Sequence, residues 1–437
     1  MTDFSIINSD KLTSGLKNIF RSLKYRNYRL YFGGQSVSLI GTWIQQIAMP
    51  WLVYRMTGST FLLGLVGFTS MLPTFVVTPF AGVLTDRWNK RRSLIITQIL
   101  AMLQALILSI LYLTGALKVF HIILLGIFLG CVNAFDMPLR QAFLIELIDK
   151  KEDLLNAIAL NSSMVNAARL VGPSVAGVLI GATGNEGICF LINAVSYIFV
   201  IFSLFGIKIP SVRTGSDMLS PAGDKEKISF YKRYRQEAEL FWQEFKSGIT
   251  YVYSVTALKR IILLLGVVSL MGMPYAVLMP VFATKILKGG PHTFGFLMGA
   301  SGVGALVAGF YLASRRGITG LEKFLPVSVG IFGLGLISFS FSRIFVLSMI
   351  LMLVTGFGML SGMASSNTII QTITDDDKRG RVMSFYTMAF MGTAPFGSLI
   401  AGAVASAIGA PDTLRLGGII CILSAAIFER SFRHISI

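Results

Sequence analysis

Long apolar runs, each broken by a short polar loop, fill most of this chain. A helix needs about 20 apolar residues to cross the hydrocarbon core of a bilayer, and about twelve runs have that length. They cover residues 29–55, 61–84, 93–114, 121–142, 157–181 and 187–207, then 260–284, 294–314, 322–341, 344–370, 382–405 and 413–430. Residues 208–259 interrupt the series with Ser220-Pro221-Ala222-Gly223 and a mixed charged run from Asp224 to Glu244. That stretch is too polar to span and reads as a cytoplasmic linker with an amphipathic helix on the membrane surface. The pattern predicts an all-α membrane protein of two six-helix bundles, 29–207 and 260–430. A cytoplasmic amphipathic N-terminus, 1–28, and a short cytoplasmic tail, 431–437, flank them.

Composition agrees with this pattern. Of 437 residues, 54% are hydrophobic and 14% are charged, against roughly 25% charged in a soluble domain. The mean hydropathy is +0.71. So little polar surface cannot cover a core in water. The net charge of +17 raises nucleic acid as a partner, but placement of the charges removes it. With both termini on one side and the runs alternating, about 31 Lys and Arg fall on the terminus side and about 6 opposite, which puts both termini in the cytoplasm. No aromatic and basic platform stands out beside them. The N-terminus has no short apolar region with a small-residue cleavage site, so the first run is expected to be an uncleaved helix.

Little here suggests an enzyme. Cys131, Cys189 and Cys421 all lie in apolar runs, without disulfide or metal-ligand spacing. The three histidines sit at run edges or in the tail, and no nucleotide-binding glycine loop is present. Neither a cofactor nor a metal is expected.

Four constellations could carry function. The first is the loop Gly82-Val-Leu-Thr-Asp86-Arg87-Trp-Asn-Lys90-Arg91-Arg92. Asp86 closes the second helix, where a carboxylate meets the negative end of the helix dipole and needs a positive partner. Arg87, Arg91 or the N-terminus of the eleventh helix could supply it, and the last choice would lock the cytoplasmic side. The second is Asn133, Asp136 and Arg140 on one face of the fourth helix, with Pro138 between them. Charges at that depth serve a gate or coupling site, or else an interfacial anchor. The third is Arg169, about 18 Å into the fifth helix at 1.5 Å per residue. It shares a polar stripe with Ser162 and Asn166 and precedes Gly172-Pro173. It could bind an anionic substrate or pair with Asp136. The fourth is a polar face on the first helix, Gln35, Ser38, Thr42 and Gln45, with Trp43 and Gln46 beside it. Such a face lines a cavity or bonds to neighbouring helices. Tyr275 in the Met-rich seventh run and Ser365 in the tenth are further candidates for the substrate site.

The two halves carry weak traces of one repeat. Gly309 to Arg315-Arg316 stands where Gly82 to Arg92 stands in the first half, and Ala394-Pro395 where Gly172-Pro173 does. Paired halves with Pro- and Gly-interrupted helices suit alternating access around a midplane site.

The loop from Gly82 to Arg92 resembles the cytoplasmic loop motif of the major facilitator superfamily. More of the chain resembles its enterobactin-exporter-like and macrolide-efflux-like branch. The matching pieces are Leu23-Lys-Tyr-Arg-Asn-Tyr-Arg, Gly34-Gln35 with Ser38 and Gly41-Thr-Trp43, Asp136-Met-Pro-Leu-Arg140-Gln141, Ala168-Arg169 with Gly172-Pro173 and Gly177, Gly248-Ile-Thr-Tyr-Val, and Leu278-Met-Pro-Val-Phe-Ala283. The resemblance implies proton-driven export of a small amphiphilic molecule, siderophore or drug, across a bacterial inner membrane by a monomer. It casts Gly82, Asp86, Arg87, Arg91, Arg92, Gly172 and Pro173 as gating residues. Gln45 and Gln46 stand where an acid is expected in the first helix, which leaves Asp136 with Arg140 for proton coupling. Gln35, Thr42, Trp43, Gln46, Asn133, Asn166, Arg169, Tyr275 and Ser365 form the expected substrate set. Import of a siderophore or nutrient, or lysophospholipid flipping, remains the alternative.

Overall fold

The computed structural model describes residues 20–85, 88–208, 246–315, 319–375 and 378–432. Residues 209–245 of the 208–259 stretch expected to hold a surface helix, the outermost N-terminus and the tail beyond 432 lie outside these residues. Among the described residues the long elements are helices. In the first half they are α1 (Arg26–Thr57), α2 (Thr60–Thr85), α3 (Lys90–Leu113), α4 (Val119–Glu146), α5 (Lys151–Thr183) and α6 (Glu186–Gly206). In the second half they are α7 (Thr256–Ile286), α8 (Pro291–Ser314), α9 (Leu321–Phe341), α10 (Phe345–Ile373), α11 (Arg379–Ile408) and α12 (Ala410–Phe432). Residues 246–254 are also helical.

Eleven of these runs are long and apolar enough to cross a membrane. The remaining helix, α1, is the polar one. It is 32 residues long and carries Gln35, Ser36, Ser38, Gln45 and Gln46 in its middle. In the apolar windows of the eleven, only 17% (α2) to 56% (α9) of residues are buried. Apolar side chains such as Phe202, Phe310 and Ile427 point outward, as expected where lipid is the solvent.

Local chemistry sets the helix ends. α1 and α5 stop at Gly58 and Gly184, each at φ 62°, the left-handed conformation that glycine adopts without penalty. Asn89 caps α3 by accepting the Arg92 backbone N–H at 3.0 Å. Pro138 does not end α4, which continues to Glu146, although proline removes one backbone bond there. α7 and α11 each contain π-helical turns, at Val268–Gly272, Phe282–Ile286 and Met388–Gly392. Pro274 and Pro395 follow two of these.

The chain forms two compact units that do not coincide with the two halves. The first holds the described residues through Leu62, then Thr69 to Lys208, then Ala283–Gly299. The second holds Leu63–Phe68, then residues 246–282, then 300–432. Each unit thus takes in a short piece of the other half. In the first unit Trp51 stacks on Phe294 at 6.2 Å, and a Cβ on Gly177 would lie 2.9 Å from the Pro291 carbonyl oxygen. In the second, Phe68 meets Phe396 edge-on at 5.6 Å.

A short 3-10 turn, Arg21–Lys24, straps the start of α1 to the start of α5. The buried Asp153 carboxylate pairs with Arg21 and with Lys24 (2.6 Å) and accepts the Tyr25 hydroxyl at 2.6 Å. Ser22 donates its backbone N–H and its hydroxyl to Asn156 at 2.9 and 2.8 Å. The hydrogen bond to Asp153 holds the Lys24 ammonium above its ordinary value.

Candidate functional site

The core of the first unit contains a charge. Asp136, on α4, is 4% exposed. Its Oδ1 accepts the Thr97 hydroxyl at 2.7 Å and the Gln98 amide at 2.6 Å, both from α3. Its Oδ2 forms an ion pair with Arg140, one turn further along α4. A buried carboxylate is tolerated only when paired and hydrogen-bonded, and here three side chains do so. Tyr31 of α1, which packs edge-on against Phe143, and Tyr197 of α6 lie within electrostatic reach of the pair.

A second polar layer joins α1, α3 and α6. Asn193 donates to Gln45 at 2.8 Å, and Gln45 donates to Gln104 at 3.0 Å. On the polar face of α1, Gln45 is thus spent on bonds between helices, whereas the Gln35 amide nitrogen and the Ser38 hydroxyl are buried without a hydrogen-bond partner among the described residues. Thr42 donates to the Ser38 carbonyl at 3.0 Å and lies 3.5 Å from the Tyr197 hydroxyl. Gln46, on the other side of α1, is exposed. A third polar group, Glu186, is fully buried at the start of α6, with Arg55 at 2.8 Å and the Tyr112 hydroxyl at 2.7 Å.

Arg169 forms no ion pair with Asp136, whose partner is Arg140. Its guanidinium lies 5.7 Å from the centroid of the Trp43 ring. Gly172 makes this possible: a Cβ there would collide with the Trp43 Cβ, so α5 meets α1 only because the side chain is absent. Gly172 and Pro173 are buried. One turn before Arg169, Asn166 donates to the Ser162 carbonyl at 2.9 Å. Asn133 is half-buried on α4.

Three residues of the expected substrate set are buried. Gln35 is packed inside the first unit, Tyr275 and Ser365 inside the second, and none faces open space. The Tyr275 hydroxyl lies 2.9 Å from the Ser301 hydroxyl. Within the Met-rich run of α7, Tyr275 is packed while Met273 lines a cleft. The second unit does have an apolar cleft. Leu264, Met273, Phe332, Met359, Met363 and Phe390 are among its lining residues.

Of the loop motif, Gly82 lies in α2, while Asp86 and Arg87 fall outside the described residues. Arg91 donates to the carbonyls of Leu204 and Phe205 at 2.7 and 2.8 Å. It thus serves the C-terminus of α6, where a cation satisfies free carbonyls and the negative dipole end. Lys90 pairs with Glu146 at 2.5 Å, and Arg92 is exposed.

Thr97, Gln98, Gln104 and Asn193 were not singled out from sequence. A signal was present, since each is a polar side chain inside an apolar run. Their common meeting place was not readable from one chain position at a time. No group of three metal-ligating side chains occurs among the described residues.

Comparison with known proteins places this geometry. The family described as "Transmembrane secretion effector" matches residues 18–221 and 225–434. The chain is 26% identical over 403 residues to the staphyloferrin A transporter of Staphylococcus aureus, covering 92% of this chain and 95% of that protein. It is 24% identical over 412 residues to macrolide efflux protein A of Streptococcus pyogenes, covering 91% and 96%. Its fold is similar to a bacterial homologue of the human lysosomal transporter Spinster, with TM-score 0.71 and 12% identity over 94% of this chain and 97% of that one. A buried ion pair inside a bundle of membrane-length helices is thus found on a transporter fold, and the chain belongs to the transmembrane secretion effector family of the major facilitator superfamily.

Proposed function

We propose that this protein exports a small amphiphilic molecule from a bacterial cytoplasm by proton-coupled alternating access. The carrying observation is Asp136, an acid buried in an apolar bundle with Arg140, Thr97 and Gln98 around it. A proton arriving at Asp136 cancels the charge that holds Arg140 and weakens the bonds from Thr97 and Gln98 of α3. Protonation therefore alters the packing of α3 against α4, and a proton can bias the equilibrium between two states. The names of the efflux relatives support the outward direction. The excess of Lys and Arg in alternate loops supports cytoplasmic termini in the inner membrane. Gly82 to Arg92, with Gly172 and Pro173, supplies the gate in this reading. Arg91 tying α3 to α6 favours such a role, because it makes that end of the first unit move as one piece.

The test uses inverted membrane vesicles carrying the full chain, energised by a proton gradient that is acid inside. Dansylglycine, ethidium and erythromycin serve as probes, so that an anion and two cations are compared. Wild-type vesicles should accumulate at least one of them above control vesicles, and Asp136→Asn should remove that accumulation. Undiminished accumulation by Asp136→Asn would sink the coupling role. Lower probe retention in a deletion strain than in its parent would show import instead of export.

A further inference from the structure

The character of α5 changes at Arg169. Toward Thr183, the face that bears Arg169 is packed: Gly172, Pro173 and Ala176 are buried, and Gly177 lies against Pro291 and Gly295. Toward Lys151 the same face is open. Leu155 is 78% exposed, Ile158 43% and Val165 36%, with exposed Ser162 among them. At 100° per residue these positions lie on the Arg169 side of the helix. The lining is thus apolar with a short polar stripe, and it ends at a guanidinium.

That guanidinium is held without being neutralised. Among the described residues no ion pair or hydrogen bond engages Arg169, and its one contact of note is the Trp43 ring. The aromatic face attracts the cation and leaves the N–H edge free. An Arg fork of this kind matches a carboxylate in two parallel bonds, whereas a cationic guest is repelled. The acid that could have neutralised it, Asp136, is taken by Arg140. Asn166 is next on the stripe. Its amide N–H is donated to Ser162, which leaves its carbonyl oxygen to accept a hydroxyl or N–H from a guest.

We infer that Arg169, stacked on Trp43, is the anion subsite of this protein, and that its substrate is an amphiphile with a carboxylate next to a hydroxyl or amide donor. This inference rests on the transporter reading above. The apolar side chains of Leu155, Ile158 and Val165 would receive the body of such a molecule.

Binding is measured on the purified full chain in detergent, by the fluorescence of dansylglycine and of its uncharged amide, dansylglycinamide. A charge-assisted bond predicts that the wild type binds the carboxylate about 10-fold more tightly than the amide. Arg169→Gln should abolish that preference while amide binding persists. Arg169→Lys should retain part of it, and Trp43→Leu should weaken it by releasing the guanidinium. The Trp43 variant keeps the test open if Arg169→Gln does not fold. No binding of dansylglycine, equal binding of the two probes, or an unchanged preference in Arg169→Gln overturns the inference. The preference without any gradient-driven probe movement upholds the anion subsite and sinks the pumping reading. Movement of ethidium without the preference does the reverse.

Discussion

At the residue scale, the decisive group is Asp136. A buried pair costs desolvation that its own attraction barely repays. Thr97 and Gln98 supply the remaining bonds, and this explains why an ion pair persists among Leu139, Phe143 and Leu94. Removal of one partner strands the other. Asp136→Ala should therefore lower stability by about 2 kcal/mol, since the half-buried Arg140 is left unpaired. The double variant Asp136→Ala/Arg140→Leu should recover part of that loss, because no unpaired charge then remains there. Thermal unfolding of the two purified variants in detergent checks this, and equal melting temperatures would contradict it.

At the element scale, close helix contact in lipid relies on small residues, because hydrophobic burial does not drive helices together there. In the second unit α8 and α10 cross where Gly304 and Gly356 lie. A Cβ on Gly356 would collide with the Ser301 carbonyl oxygen, and one on Gly304 with that of Leu353. Both obstacles are backbone, which cannot rotate aside as a side chain could. Gly356→Ala should thus push α8 and α10 apart and cost about 1–3 kcal/mol. A clear fall in the melting temperature is expected. Gly330→Ala, where no atom lies within 4 Å of the added Cβ, serves as the control and should show no such fall.

The π-helical turns belong to the same scale. Val268–Gly272 of α7 and Met388–Gly392 of α11 face one another, and Ser269 donates to the Phe390 carbonyl between them. Thr393 donates to the Ala389 carbonyl at 2.7 Å. Hydroxyls of this kind satisfy carbonyls that an irregular turn leaves free. Pro274 and Pro395 follow the turns and remove further backbone donors.

At the scale of the whole molecule, charge asymmetry determines orientation. Single cysteines at Arg92 and at Lys118, in a background without Cys131, Cys189 and Cys421, should respond oppositely to a membrane-impermeant maleimide. In intact spheroplasts Lys118→Cys should react and Arg92→Cys should not, and inverted vesicles should reverse the result. Reaction of both from one side would overturn the topology. The prediction needs only the sequence, because insertion reads the loops before the helices pack.

The number of long helices, their lengths and the polar break after 207 were legible in the sequence because a bilayer imposes one length scale on every crossing. The helix ends at Gly58 and Gly184 were equally local. Family membership could be read from short motifs such as Asp136 to Gln141. What one helix's periodicity cannot reveal is which neighbour a polar side chain meets. α1 presents Gln35, Ser38 and Gln45 on one face whether that face lines a cavity or bonds to another helix. Only packing against α3 and α6 assigns Gln45 to the latter, through Gln104 and Asn193. The same holds for charge. The sequence left Asp136 between Arg140 and Arg169, and Thr97 and Gln98, distant in the chain, were invisible as partners. Their convergence assigned Asp136 to Arg140 and left Arg169 against Trp43. Length and hydropathy are properties of single segments, whereas the pairing of a buried charge depends on which segments fold together.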